Sequence, residues 1–403
     1  MYSEKIVAKN LEKVEKSQNL RLKRLSVEKV DVFRARIDAK FNPDGKLTVE
    51  LAPEEQKFIR NEVLVCKFDF RYWAERYAVI PRDGIEGGGV GRIKFWASQE
   101  LALSHLGKFE EANHEAQDAG QAVDGICVVA HKARQLGWTM LARLLKMHRS
   151  TLWQHMRGMA ASVDDDKIME LYDRDKLILD NLPAYLRPSV GYDVKAAHLY
   201  FEKLNSRMLY QQSRQQSGLG QGRQFDLAHL TECAFWPNPR MIEFDFFPTL
   251  PLSINTLCML ESTANGRGNW WHSFTEEVRK GYHRRWKYIF TPWYIEERKY
   301  RAAFPVDWKP SEATAAHAKK VYETSKEFTG RDVLLPKEQL YWYETEHESA
   351  RRRDSLALFL TNYCATPEES FQHTGQSQFS VETLERIRLN VREPAYYDFG
   401  RVA

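Results

Sequence analysis

No CxxC pair occurs among the five cysteines, Cys66, Cys127, Cys233, Cys258 and Cys364, which are far apart and odd in number. That absence argues against a structural zinc site and a disulfide scaffold, and it suits a reducing compartment. No stretch approaches the roughly 18 consecutive apolar residues of a membrane span. The opening Met1-Tyr2-Ser3-Glu4-Lys5 has no apolar centre of the kind a signal peptide carries. An excess of one charge is missing too: 59 Lys and Arg against 55 Asp and Glu leave +4 on 403 residues. Near-neutrality neither predicts nor excludes a polyanionic partner, so any nucleic-acid argument must be local. No repeat of fixed period is present. What remains, 43% hydrophobic and 28% charged residues, is the balance of a globular protein and excludes a collagen-like fibre or a wholly disordered chain. The length accommodates one large core with additions, or two to three modules.

Residues 1–40 carry eleven basic and six acidic residues, an excess of five (11 minus 6), with Leu11, Val14, Leu20, Leu22 and Leu25 at imperfect helical spacing. They read as a basic helical arm, either solvated or docked on nucleic acid or a partner. Residues 54–80 read as helix ending at Pro81, with Trp73, Tyr77 and Ile80 about a turn apart. Asp83 to Gly91 holds five glycines in nine residues and reads as a loop. Ser98 is the expected N-cap of a helix from Gln99 to about Lys108, followed by a polar loop over 109–121.

From there strands and helices alternate. Strands are expected at 126–130, 156–161, 198–201, 208–210, 225–230, 255–260 and 286–290, and helices at 139–150, 164–180, 310–328 and 336–359. This alternation predicts an α/β fold: a central, mainly parallel sheet with helices on both faces.

The segment Val128-Val129-Ala130-His131-Lys132-Ala133-Arg134-Gln135-Leu136-Gly137-Trp138-Thr139 has the order strand, tight turn, helix. Unpartnered N–H groups and the dipole at such a helix start favour a phosphate. Thr139 is placed to ligate Mg²⁺. The generic nucleotide loop puts Lys immediately before that hydroxyl, but Trp138 stands there, leaving Lys132 and Arg134 as the available cations. An ordinary turn after a buried strand is the competing reading. Glu232 follows a strand candidate and can polarise a water for attack on a γ-phosphate, or simply cap a turn. Thr231 stands where an acidic residue usually precedes that Glu. Small polar residues after Leu260, from Glu261 through Ser262, Thr263, Ala264 and Asn265 to Gly266, are placed to sense the γ-phosphate.

These stretches resemble the large subunit of tailed-bacteriophage terminases, the DNA-packaging motors. His131-Lys132-Ala133-Arg134-Gln135-Leu136-Gly137-Trp138-Thr139 resembles the terminase phosphate loop, some of whose members carry the essential Lys early. His229-Leu230-Thr231-Glu232-Cys233-Ala234-Phe235-Trp236 resembles the second ATPase motif, and Glu261–Gly266 the coupling motif. Phe95-Trp96-Ala97-Ser98-Gln99 resembles the adenine-recognition segment. Asn362 to Phe371 resembles the stretch before a second domain. The similarity runs from about 55 to 380 and leaves residues 1–50 uncovered.

The resemblance implies a P-loop NTPase of the ASCE type with an N-terminal helical extension and a C-terminal linker or subdomain. The divisions are 1–54 (arm), 55–290 (ATPase core) and 291–403 (helical subdomain and linker). It implies Mg²⁺-dependent ATP hydrolysis that drives double-stranded DNA into a procapsid. Gln99 would read adenine, and main chain from Ala133 through Gln135, Leu136, Gly137 and Trp138 would cradle phosphates. Lys132 and Arg134 would offset charge, Thr139 and Thr231 would hold the metal, and Glu232 would activate water. Arg223, in the glycine-rich run 217–223, is a candidate arginine finger toward a neighbour, or a solvent-facing loop residue. Implied partners are DNA, a portal protein, the small terminase subunit and further copies in a ring, with no membrane. The implied location is the cytoplasm of the infected bacterium and, transiently, the procapsid portal. An RNase H-like nuclease would follow Ala403, so nuclease activity is not expected of this chain alone. The stretch from Arg279 to Lys287, with Tyr282 and Trp286 interleaved, is the densest basic-aromatic segment and a candidate DNA contact, or an exposed strand face. Two alternatives stay open: another DNA-translocating or helicase-like ATPase, and a non-catalytic DNA-binding scaffold with a degenerate loop.

Overall fold

The computed structural model describes residues 1–372 apart from 43–44, 194–197, 214–217 and 221. Ser217 and Gln221 of the glycine-rich run, and the segment from 373 to the end, lie outside the described residues.

The chain begins with α1 (Glu4–Gln18) and α2 (Val27–Asp38), then α3 (Pro53–Phe68) and α4 (Phe70–Tyr77). The expected basic arm is folded back: Ile6, Val7, Val30 and Ile37 are buried, and the Met1 amine lies 2.8 Å from Glu110. A short antiparallel ribbon, β1 (Val79–Pro81) with β2 (Val90–Arg92), brackets the glycine-rich loop. The next helix, α5 (Ala97–Asp118), is longer than its sequence suggests. Ser98 is not its cap. The helix begins at Trp96, and the backbone N–H of Ser98 donates to Glu296.

The sheet opens with β3 (Ile126–Lys132), followed by α6 (Trp138–Leu152), β4 (Arg157–Ser162) and α7 (Asp165–Asp180). Then come β5 (Val190–Asp193), β6 (His198–Phe201), β7 (Ser206–Gln212), β8 (Leu227–Thr231), β9 (Leu257–Ser262), α8 (Trp270–Arg279) and β10 (Trp286–Thr291). The order across the eight strands is β10-β3-β9-β8-β4-β7-β6-β5. From β10 to β7 every pair is parallel, and β6 and β5 add an antiparallel edge. His198 pairs with Leu209 across β6 and β7. One strand separates the loop-bearing β3 from β8, which is followed by Glu232. This is the P-loop NTPase fold of the ASCE type.

The parallel strands are buried on both faces, so they read as unbroken apolar runs. Along β3, Val128 and Ala130 join the core on the α6 side, while Cys127 and Val129 join the core on the other side. That alternation is the period of two expected of a strand.

The chain closes with α9 (Glu312–Thr329), α10 (Lys337–Arg352), α11 (Leu356–Asn362) and α12 (Pro367–Ser370). The single helix expected over 336–359 is broken at Asp354, whose φ of 53° is left-handed. Val30, Val128 and Tyr343 belong to one continuous core, so the beginning, middle and end of the chain pack together. No helix among the described residues is long and apolar enough to cross a membrane.

Candidate functional site

In an open parallel sheet, ligands bind beyond the C-terminal strand ends. A cavity of about 820 Å³ lies there, lined by Lys132, Arg134, Thr139, Thr231 and Glu232 together with Thr263. The sequence-expected phosphate loop, water-activating carboxylate and coupling segment therefore meet at one place.

The loop turns through two left-handed residues, Gln135 (φ 55°) and Gly137 (φ 70°). Only Gly137 has a packing reason as well: a Cβ there would stand 2.6 Å from Gln99 Nε2. The Gln99 side chain is fixed at both ends. Its Oε1 accepts from Trp96 N at 3.0 Å, and its Nε2 donates to Gly137 O at 3.0 Å. The residue expected to read adenine thus clamps the phosphate loop, with one proton and one lone pair left over.

The loop amides are not all available. Ala133 N–H donates to Thr291 O at 2.9 Å and Arg134 N–H to Asn362 O at 2.8 Å, while the Tyr300 hydroxyl bonds Arg134 O. Within the expected cradle over 133–138, the first two amides therefore already have carbonyl partners.

Trp138 is packed into the core, although it also contributes to the cavity lining. It is 1% exposed, and its Nε1 donates to Thr291 Oγ1 at 3.0 Å. The position that holds Lys in the generic motif is a core position here. Lys132, at the end of β3, lines the cavity and lies 3.7 Å from Glu261 Oε2. Arg134 is exposed at the cavity rim.

Glu261 is 1% exposed and lies behind the cavity lining rather than in it. Its Oε1 accepts from Thr139 Oγ1 at 2.6 Å and lies 2.9 Å from His229 Nε2. Burial raises its carboxyl, but Lys132 and the bonds from His229 and Thr139 outweigh that and hold it down to about 2. Burial pushes His229 down to about 3, so this ring is neutral. Its Nδ1 faces Arg143 at 3.5 Å, and Arg143 is paired in turn with buried Asp175.

Glu232 follows β8 with φ 56°, an uncommon region for a side chain of this kind. Such outliers concentrate where a side chain must be aimed. The turn after it is tied to the coupling segment: Ala234 N–H donates to Ser262 Oγ at 3.1 Å, and Asn265 Nδ2 donates to Ala234 O at 3.1 Å. Ala264 is buried beneath that contact, and Gly266 turns at φ 75°.

Arg223 is not brought to this cavity. It precedes β8 and lines a separate depression with Arg207 and Phe225 at the opposite edge of the sheet. Part of the basic-aromatic segment is engaged within the protein, while Lys280, Tyr282 and Arg284 stay exposed. Arg279 pairs with Glu368, Arg284 with Asp124 and His283 with Glu277, while Arg285 donates to the carbonyls of Leu250 and Pro251. Trp286 is buried. These charges hold the N-terminal end of β10 in place.

Sequence reading missed three contributors. Lys167, Glu170 and Arg174 of α7 line the cavity, and Arg174 is paired with Glu170. On the sequence they are indistinguishable from a solvated helix face. His229 sat inside a recognised motif with no role assigned.

No family model matches the sequence, and no curated protein does. Among solved structures, the large terminase of bacteriophage HK97 superposes with a TM-score of 0.50 and 11% identity, over 74% of this chain and 55% of that one. The chain thus spans little more than half of that protein. The ATPase domain of the Thermus phage P74-26 large terminase gives a TM-score of 0.35 at 15% identity, over 55% of this chain and 87% of that domain. At such identities the HK97 likeness shows a shared fold.

Proposed function

We propose that this chain is the ATPase portion of a terminase large subunit, a motor that hydrolyses ATP to drive double-stranded DNA into a procapsid. One observation carries the reading: the loop after β3 and Glu232 after β8 face a common cavity across the intervening β9. The order of motifs along the sequence and the fold shared with the HK97 terminase support it. Division into an arm (1–54), an ATPase core (55–290) and a helical linker (291–403) belongs to the same proposal. So do the ring of copies, the portal and small-subunit partners, and the site of action in the infected cytoplasm and at the procapsid.

The residues fit the substrate. Amides from Gln135 to Thr139 bind the β- and γ-phosphates at the start of α6. Lys132 and Arg134 offset the charge that builds on the transferred phosphoryl group. Glu232 orients water and takes its proton. Ser262 and Asn265 hold the turn that carries Glu232, so a change at the γ-phosphate reaches the coupling segment through two hydrogen bonds. The residues also fit a divalent cation: Thr139 offers a hydroxyl oxygen, and Glu261 Oε2 is buried with no hydrogen-bond partner. Mg²⁺, when bound, would screen the phosphate oxygens and polarise the bond to be broken. Arg223 keeps a role only toward a neighbouring copy in the ring.

The scaffold alternative draws on Trp138 and Thr231, of which Trp138 is packed into the core. Phosphate release measured with Mg²⁺, with and without duplex DNA, tests the proposal. Turnover that DNA stimulates is the expected result, and no release above background under either condition overturns it.

A further inference from the structure

We propose that Glu261 serves as the metal-site carboxylate of the nucleotide centre, moved one strand sideways from the place before Glu232 where such a group normally stands. The inference rests on the ATPase reading and names a residue that the motif comparison assigns to coupling instead.

Four observations carry it. First, the usual position holds Thr231, whose hydroxyl has no charge to offer a hard cation. Second, Thr231 and Glu261 are direct partners in the β8–β9 ladder, so the carboxylate is displaced across the sheet without a shift along it. Third, Glu261 accepts the Thr139 hydroxyl proton at 2.6 Å. That fixes the hydroxyl rotor and leaves the Thr139 oxygen lone pairs for a cation. Fourth, Glu261 Oε2 is buried without a hydrogen bond, its nearest opposite charge being Lys132 Nζ at 3.7 Å. That oxygen makes no hydrogen bond and has only a long ion pair, which leaves it able to accept a cation ligand.

His229 secures the arrangement. Its Nδ1 faces the Arg143 guanidinium at 3.5 Å, and its Nε2 lies 2.9 Å from Glu261 Oε1. A histidine-fixed carboxylate beside a hydroxyl is a set of oxygen donors suited to Mg²⁺ or Mn²⁺, which take one or two protein oxygens and complete their shell with phosphates and water. Glu261→Gln keeps the shape, can still accept from Thr139, and removes only the charge.

The test titrates Mn²⁺ into the full chain with the non-hydrolysable analogue AMP-PNP and follows the free ion by electron paramagnetic resonance. In parallel, AMP-PNP affinity is measured in Mg²⁺ and in EDTA, and circular dichroism checks the fold. Glu261→Gln is expected to weaken Mn²⁺ by about 10- to 100-fold and to abolish the Mg²⁺ enhancement of AMP-PNP affinity, with AMP-PNP still bound in EDTA. Glu261→Asp, which keeps the charge and its Lys132 and His229 partners, is the variant of choice if the Gln protein does not fold. Its shorter reach is also expected to lower Mn²⁺ affinity. Unchanged Mn²⁺ affinity in a folded Glu261 variant overturns the assignment. So does a larger loss in Thr231→Val than in Glu261→Gln. If the unaltered chain binds no AMP-PNP with or without metal, the nucleotide reading itself fails and takes this assignment with it.

Discussion

At the scale of single residues the site depends on where a few polar atoms point. Glu232 is held in a left-handed turn beside the cavity, so its carboxylate is aimed by the backbone. Glu232→Gln is expected to keep ATP binding and to lose hydrolysis by about 10²- to 10⁴-fold; normal steady-state turnover would remove Glu232 from its role. Lys132 is the cation closest to the buried carboxylate. Lys132→Ala is expected to weaken an ATP analogue, and an unchanged dissociation constant would count against the early-Lys reading. Gly137→Ala adds a carbon where Gln99 already lies and forces a left-handed φ on a side chain. That costs about 1–2 kcal/mol from the backbone alone and pushes on the Gln99 clamp. A drop in both melting temperature and nucleotide affinity checks it. The carboxylate at Glu232 was legible because a Glu closing an apolar strand is a local pattern. The bond between Glu261 and Thr139 was not, because the two are 122 positions apart.

At the scale of elements, β3 and α6 were legible because a short apolar run followed by a turn containing Gly leaves few alternatives. The end of α5 was not. Its last turns are polar and read as a loop, yet Glu110 is buried there by the folded-back N-terminus and takes the Met1 amine. A contact more than a hundred residues distant made helix out of a sequence without an obvious apolar stripe. Trp138 teaches the same lesson in reverse. By motif alignment it looks like a lost Lys, but the first turn of α6 directs it into the core. Trp138→Lys is therefore expected to harm rather than restore. It buries an unpaired ammonium and vacates a Trp-sized volume, a loss of about 3–5 kcal/mol. Urea unfolding would report it, and a variant as stable as the parent with tighter nucleotide binding would contradict the placement.

For the whole molecule, strand alternation was enough to predict a mainly parallel α/β sheet, and the strand order then followed from the fold rather than from any local signal. The antiparallel edge of β5 and β6 adds to the parallel order without altering the site. A molecule-wide property emerges from burial. His131, His148 and His317 are each pushed down to about 3, chiefly by burial. In the unfolded chain they would titrate near 6.5. The unfolded state then binds more protons below that value, so stability is complete above it and falls as pH drops toward 3. Between pH 7.5 and 5.5 the three together account for a loss of about 4 kcal/mol. Urea midpoints at these two pH values would show it, and equal midpoints would contradict it.

The two bonds from Ala133 and Arg134 to Thr291 and Asn362 have a mechanical consequence. The front of the nucleotide turn is riveted to the end of β10 and to the last residue of α11. A displacement of either element therefore strains a bond to that turn directly.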